Sequence, residues 1–207
     1  MNVELLDELV ANVERLTSDP PAALVLAGRE GAFSAGLDLK EVPAYGPDDQ
    51  RRMVDLINSM ALGVYALPCP VVCAITGHAI AGGFVLAVCG DHRVASSEGR
   101  YGLTEVKVGV PYPQAALGVV RAELSPAGTR LLVLGNRLVS AEECVRLGAF
   151  DEVAEPAAVL ERVVAVAREL AALPAELYAS TKAELRADTL TTLRAAAEAD
   201  PLPQSWV

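Results

Sequence analysis

The chain has little histidine, no surplus of basic charge, no long apolar run and no paired cysteine motif, and each shortage removes a class of function. Only His78 and His92 occur among 207 residues, and there is no GxSxG turn, so a Ser-His-Asp nucleophile lacks both its base and its usual setting. His78 lies beside a turn and His92 within a charged Asp-His-Arg run, and neither is assigned a role. Cys69, Cys73, Cys89 and Cys144 form no CxxC pair and have no histidine at ligand spacing. They are read as buried thiols packing as small hydrophobes, and no metal site is expected. No GxxxxGK[ST] occurs and no GxGxxG joins the first strand to a helix, which removes nucleotide hydrolysis and dinucleotide chemistry. A net charge of −10 without a Lys/Arg stripe argues against nucleic acid or an anionic membrane as partner. No apolar run is long enough to cross a bilayer, and the start MNVELLDELV carries acids where a signal peptide carries bases. A soluble, intracellular, cytoplasmic protein is therefore expected.

What is present points to one well-filled core. With 52% hydrophobic and 21% charged residues, the chain fits a single compact domain. Leu5, Leu6, Leu9, Val10, Val13 and Leu16 share a helical stripe over residues 3–16, with Asn2 available as cap. Leu24-Val25-Leu26 and Val71 to Ile75 are short, continuous apolar runs of the kind found in strands covered on both faces, which implies a parallel sheet. Between them the spacing predicts a long helix from Pro47 to Leu67, stopped by Pro68 and Pro70. A short buried helix is expected over 84–89, weaker strands over 93–95 and 107–110, and a helix over 126–134. Ser140 and Glu143 form a capping box for a helix closed by Gly148, Glu152-Val153 is a brief strand, and 159–173 and 175–186 read as final helices. The order predicts an α/β core over 1–155 and a C-terminal helical region over 156–207.

Two glycine-containing turns follow buried strands, Ala32 to Leu39 and Gly77 to Phe84. Strand ends of an open parallel sheet are where ligands usually sit, and glycine lets a ligand approach the backbone. If the second turn opens a helix, the Gly82 N–H can donate to an oxyanion, and a donor from the first turn would complete the pair. Taken singly, these glycines fit tight packing better than a ligand role. A phosphate-bearing ligand would need local cations such as Arg29, Lys40, Arg51, Arg52 or Lys182, whose convergence the sequence does not reveal.

Together the motifs resemble the crotonase superfamily of enoyl-CoA hydratases and isomerases, from Met1 to about Arg186. Ala32-Phe33-Ser34-Ala35-Gly36-Leu37-Asp38-Leu39 is similar to the family's first oxyanion turn, with Leu37 at the donor position. Gly77 to Phe84 is similar to the second, with its donor at Gly82. Leu103 to Pro111 matches a third motif, in which Gly109 and Pro111 set a register that places the family's acid on Glu105. The resemblance implies a spiral of ββα units with the opening strands of the family missing. It also implies substrate contacts from Ala35, Gly36, Asp38 and Gly83, a homotrimer or a pair of stacked trimers, and an acyl-CoA substrate with no separate cofactor. Pro201 and Pro203 suggest that the family's closing helix is missing or short.

Hydratases of this family use two carboxylates, because adding water needs an activated water and a proton donor. The first of those positions, three residues after Gly82, is Val85 here, whereas Glu105 is retained. One carboxylate suits a proton moved from one carbon to another, so the pattern resembles Δ3,Δ2-enoyl-CoA isomerases most. A hydratase or thioester hydrolase relying on Glu105 alone, and a non-catalytic scaffold, are the alternatives.

Overall fold

The protein is described by a computed structural model covering residues 1–201. The eight strands among the described residues divide between two four-stranded sheets. β1 (Leu24–Ala27), β3 (Val71–Ile75), β5 (His92–Ser96) and β8 (Glu152–Ala154) form one, entirely parallel. β2 (Gly31–Ser34), β4 (Gly77–Ile80) and β6 (Tyr101–Gly102) run parallel in the other, and β7 (Leu138–Val139) joins it antiparallel. Successive strand pairs send one strand to each sheet and are followed by helix, which is the expected spiral of ββα units.

α1 (Val3–Ser18) begins where the Asn2 side chain accepts the Leu5 N–H at 3.0 Å, an N-cap that satisfies one orphan donor. Leu6 and Val13 are buried, whereas Leu5, placed on the stripe by spacing, is 47% exposed. α2 (Pro47–Ala66) has proline in its first turn, where the missing N–H costs nothing, followed by Asp48 and Asp49 at the positive end of the dipole. β3 is buried at all five positions. Its Val72 and Ala74 face α8 (Val159–Ala171), while Val71, Cys73 and Ile75 enter the main core.

Several elements differ from the sequence reading. Residues 107–110 are not a strand, because α4 (Glu105–Val108) ends at Gly109 with φ +75°, and the Thr104 carbonyl accepts the Lys107 and Val108 N–H groups. Gly77 to Ile80, read as a turn, is β4, and α3 (Gly82–Val88) starts two residues earlier than expected. α5 (Gln114–Glu123) was not foreseen. Residues 126–134 are helical but divide into α6 (Pro126–Thr129) and a π-helical turn, Arg130–Leu134. α7 (Ala141–Arg146) is capped as expected by Ser140, whose hydroxyl accepts the Glu143 N–H.

The last helix, α9 (Ala175–Glu198), continues well past Arg186. Leu190 and Leu193 bury against the core, and a methyl added at Gly118 of α5 would lie 1.9 Å from Leu193. The expectation of a missing or short closing helix rested on Pro201 and Pro203; Pro201 follows α9 outside any helix, and residues 202–207 lie outside the described residues. A buried ion cluster ties α9 down: Asp91 accepts from Lys182 at 2.6 Å and forms an ion pair with Arg186 at 3.0 Å, and Arg186 also stacks on the Tyr65 ring at 3.8 Å. No described helix is long and apolar enough to cross a membrane.

Candidate active site

Elements distant in sequence converge on one cavity of about 70 Å³. The turn after β2 contributes Ala35 and Leu37, the β4–α3 junction contributes Ala81 and Gly82, and α4 contributes Glu105. Ile57 of α2 and Val85 of α3 supply apolar wall.

The two turns touch. Gly36 has φ +83°, and a methyl added there would lie 2.8 Å from Ala81 Cβ and 3.1 Å from Gly82 N, so only glycine permits this approach. Ala81 also has a positive φ, +54°, a conformation that costs a non-glycine residue about 1–3 kcal/mol. Its N–H donates to Gly102 O at 2.9 Å and its carbonyl accepts from Phe84 and Val85, which hold it in place. The N–H groups of Leu37 and Gly82 have no acceptor among the described residues, although Gly36 and Asp38 on either side of Leu37 are satisfied, by Ser34 Oγ and Met1 O. Two unpaired backbone donors at the wall of a largely apolar cavity can hold an oxygen that gains negative charge. Gly36→Ala is expected to cost about 1–3 kcal/mol of stability and to weaken ligand binding by separating the turns, measured by thermal denaturation and calorimetric titration.

Glu105 is 8% exposed. One carboxylate oxygen, Oε2, accepts the Thr104 N–H at 2.8 Å. Burial pushes the carboxyl above its ordinary range, opposed by its own N–H, the nearby Tyr112 hydroxyl and the Thr104 N–H. A carboxylate with raised proton affinity can act as base and then as acid.

The structure thus brings Leu37, Gly82, Glu105 and Ala35 to one cavity, while other predicted positions fall outside it. Gly36 supports the site from behind. Gly83 is a packing position, because a methyl there would lie 2.2 Å from Ser34 O. The Asp38 carboxylate turns away to accept the Lys40 N–H at 2.9 Å. Three of the five candidate cations are engaged elsewhere: Lys182 is buried against Asp91, Arg52 pairs with Asp7 and Arg51 with Asp55. A larger cleft of about 780 Å³ lies over Asp91, Lys182 and Arg186, but these charges are bound to one another. His78 accepts the Arg100 N–H and His92 meets Glu152, both outside the cavity wall. All four cysteines are buried. Tyr112, which sequence reasoning passed over, also lines the cavity; its only signal was its place in the segment that follows Glu105.

The family model described as enoyl-CoA hydratase/isomerase matches residues 1–202. A Thermus thermophilus protein that carries an enoyl-CoA hydratase name is 37% identical over 83% of this chain and 69% of its own length. An apo structure described as a Mycobacterium tuberculosis enoyl-CoA isomerase is 33% identical, with TM-score 0.88 over 96% of this chain and 86% of that one. Human mitochondrial Δ3-Δ2-enoyl-CoA isomerase is 28% identical, with TM-score 0.88 over 97% and 79%. With the ββα spiral in place and a match along nearly its whole described length, the chain belongs to the enoyl-CoA hydratase/isomerase family.

Proposed function

We propose that the chain is a Δ3,Δ2-enoyl-CoA isomerase. The observation that carries this reading is that Glu105 is the only carboxylate among the described residues lining the cavity, with Val85 rather than a second acid one turn beyond Gly82. Hydration has to activate a water and supply a proton, whereas isomerisation needs one group that removes a proton and returns it. In the proposed reaction the thioester oxygen of a 3-enoyl-CoA accepts hydrogen bonds from the Leu37 and Gly82 N–H groups. Glu105 takes a proton from C2, and the electron pair left behind delocalises onto that oxygen as a dienolate. The protonated Glu105 then delivers the proton to C4, the electrons return from the oxygen, and the double bond lies between C2 and C3. The donors matter most where the oxygen bears most charge, so they lower the barrier more than they tighten substrate binding.

In this reading coenzyme A enters as part of the substrate and no separate cofactor takes part. Ala35 contacts the acyl thioester, and the subunits associate as a homotrimer or a pair of stacked trimers. The likeness to two structures described as isomerases supports the reaction class. Hydration is the second reading, favoured by the name of the Thermus thermophilus relative. Incubation with a 3-enoyl-CoA is expected to yield the conjugated 2-enoyl-CoA with neither 3-hydroxyacyl-CoA nor free thiol. Accumulation of the 3-hydroxy thioester would favour hydration, and free thiol hydrolysis. No heat of binding with a saturated acyl-CoA would mark a scaffold.

A further inference from the structure

The reaction just described leaves one buried polar group of the cavity unused. The Tyr112 hydroxyl is shut off from solvent, has no hydrogen-bond partner among the described residues, and belongs to the same cavity wall as Glu105. A buried hydroxyl without a partner is unfavourable, so a native site that keeps one calls for an explanation. Its surroundings are held firmly. Prolines 111 and 113 restrict the backbone on both sides of Tyr112, and the Val110 N–H donates to Glu105 O at 3.0 Å. The next residues open α5, where Asp200 accepts the Gln114 N–H at 2.8 Å and Asn58 the Ala115 N–H at 2.9 Å.

Glu105 has a matching vacancy in its hydrogen bonding. Oε2 is taken by the Thr104 N–H, and Oε1 accepts nothing among the described residues. The hydroxyl shares the cavity wall with this carboxylate and feels its charge, but makes no hydrogen bond to it. No other titratable side chain among the described residues lines the cavity: α2 presents Ile57, α3 Val85 and α5 Ala116, and Met1 lines the wall while its amino group donates to Gly36 O.

The geometry points to Tyr112 as a positioning residue for Glu105, its O–H donating to the carboxylate, holding it ionised and aiming it at the substrate carbon. Burial, and then the neighbouring carboxylate, push the phenol above its ordinary range, so it serves as a donor and not as a base. A hydrogen bond to the charged form of an acid favours that form, which offsets part of the burial of Glu105. The consequence for turnover rests on the isomerase reading; the contact with Glu105 does not.

The test is therefore made first without substrate. The Glu105 carboxylate is titrated by infrared difference spectroscopy in the intact protein and in Tyr112→Phe, with Glu105→Gln identifying the band. Loss of the donor is expected to raise the Glu105 midpoint by about one pH unit, a tenfold gain in proton affinity. The acidic limb of the pH–rate profile should move up with it, and kcat should fall while the dissociation constant for a saturated acyl-CoA holds. An unchanged or lowered midpoint in a folded variant overturns the proposal, and so does a loss of activity explained by a fall in Tm alone. Tyr112→Leu is the second variant should Phe fail to fold, with the same rise expected. A shifted midpoint without turnover of any enoyl-CoA would keep this contact and reject the isomerase; turnover with an unshifted midpoint would do the reverse.

Discussion

Glu105→Gln is expected to slow exchange of the α-proton of a saturated acyl-CoA by about 10²–10⁴-fold, the usual contribution of a positioned acid–base group. Glutamine matches the shape of glutamate, and its carbonyl oxygen can still accept the Thr104 N–H now bound by Oε2. Thioester binding should therefore change little, because the Leu37 and Gly82 donors remain and the cavity keeps its volume. Deuterium incorporation followed by mass spectrometry reads the exchange, and calorimetric titration reads the binding. Exchange at an undiminished rate would remove Glu105 from the mechanism.

The same substitution has a stability signature of predictable sign. Burial raises the folded-state pKa of Glu105 above its ordinary value of 4.5, so the folded protein holds this proton more tightly than the unfolded chain does. The stability contributed by that proton is complete below the unfolded value and is lost as pH rises through the folded one. Where its carboxyl is ionised, the native protein carries a largely desolvated negative charge, which glutamine removes. Glu105→Gln should accordingly be at least as stable as the parent at pH 7, and the difference should shrink as pH falls. The exchange rate of the parent should rise with pH on an acidic limb placed above the ordinary carboxylate range.

How much of this was legible in the sequence follows from where each element draws its stability. β3 could be read because Val71 to Ile75 is apolar at positions buried on both faces. β2 and β4 could not, since Gly-Ala-Phe-Ser and Gly-His-Ala-Ile carry few strand-forming side chains. They pair through close backbone approach, and a methyl at Gly77 would lie 2.0 Å from Gly31 O. α5 has no capping side chain of its own; Asn58 and Asp200 satisfy its first N–H groups from 57 and 86 residues away. The donors and Glu105 were visible only as three motifs in order, because no local pattern distinguishes a catalytic glutamate from a solvated one. Tyr112 carried no motif at all, and its significance lies in an unpaired hydroxyl that only coordinates reveal.

Asp91→Ala is expected to destabilise the protein by about 3–5 kcal/mol, the cost of leaving buried cations without their partner. The Asp91 side chain is 10% exposed, and its carboxylate accepts from Lys182 and from the Val71 N–H that starts β3, and it pairs with Arg186. The two cations do not suffer equally. Arg186 keeps the Tyr65 carbonyl at 2.7 Å, the Tyr65 ring and the more distant Glu123, whereas Lys182 keeps, among the described residues, only the Cys69 carbonyl. Desolvation already holds Lys182 below its ordinary value of 10.5 despite the attraction of Asp91. Without that attraction its folded-state pKa falls further, and the folded variant binds fewer protons than the unfolded chain over the interval up to 10.5. Stability rises with pH across such an interval, so the variant should regain part of its loss as pH approaches 10. Lys182→Met in the Asp91→Ala background should restore part of it at pH 7 by removing the stranded charge, a coupling that urea denaturation of the four proteins in the cycle measures. If Asp91→Ala cost less than about 1 kcal/mol, as an exposed ion pair would, α9 would owe its position to Leu190 and Leu193 instead. Asp200, just beyond α9, caps α5 behind the Tyr112 wall, so loosening the Asp91 cluster should also weaken acyl-CoA binding.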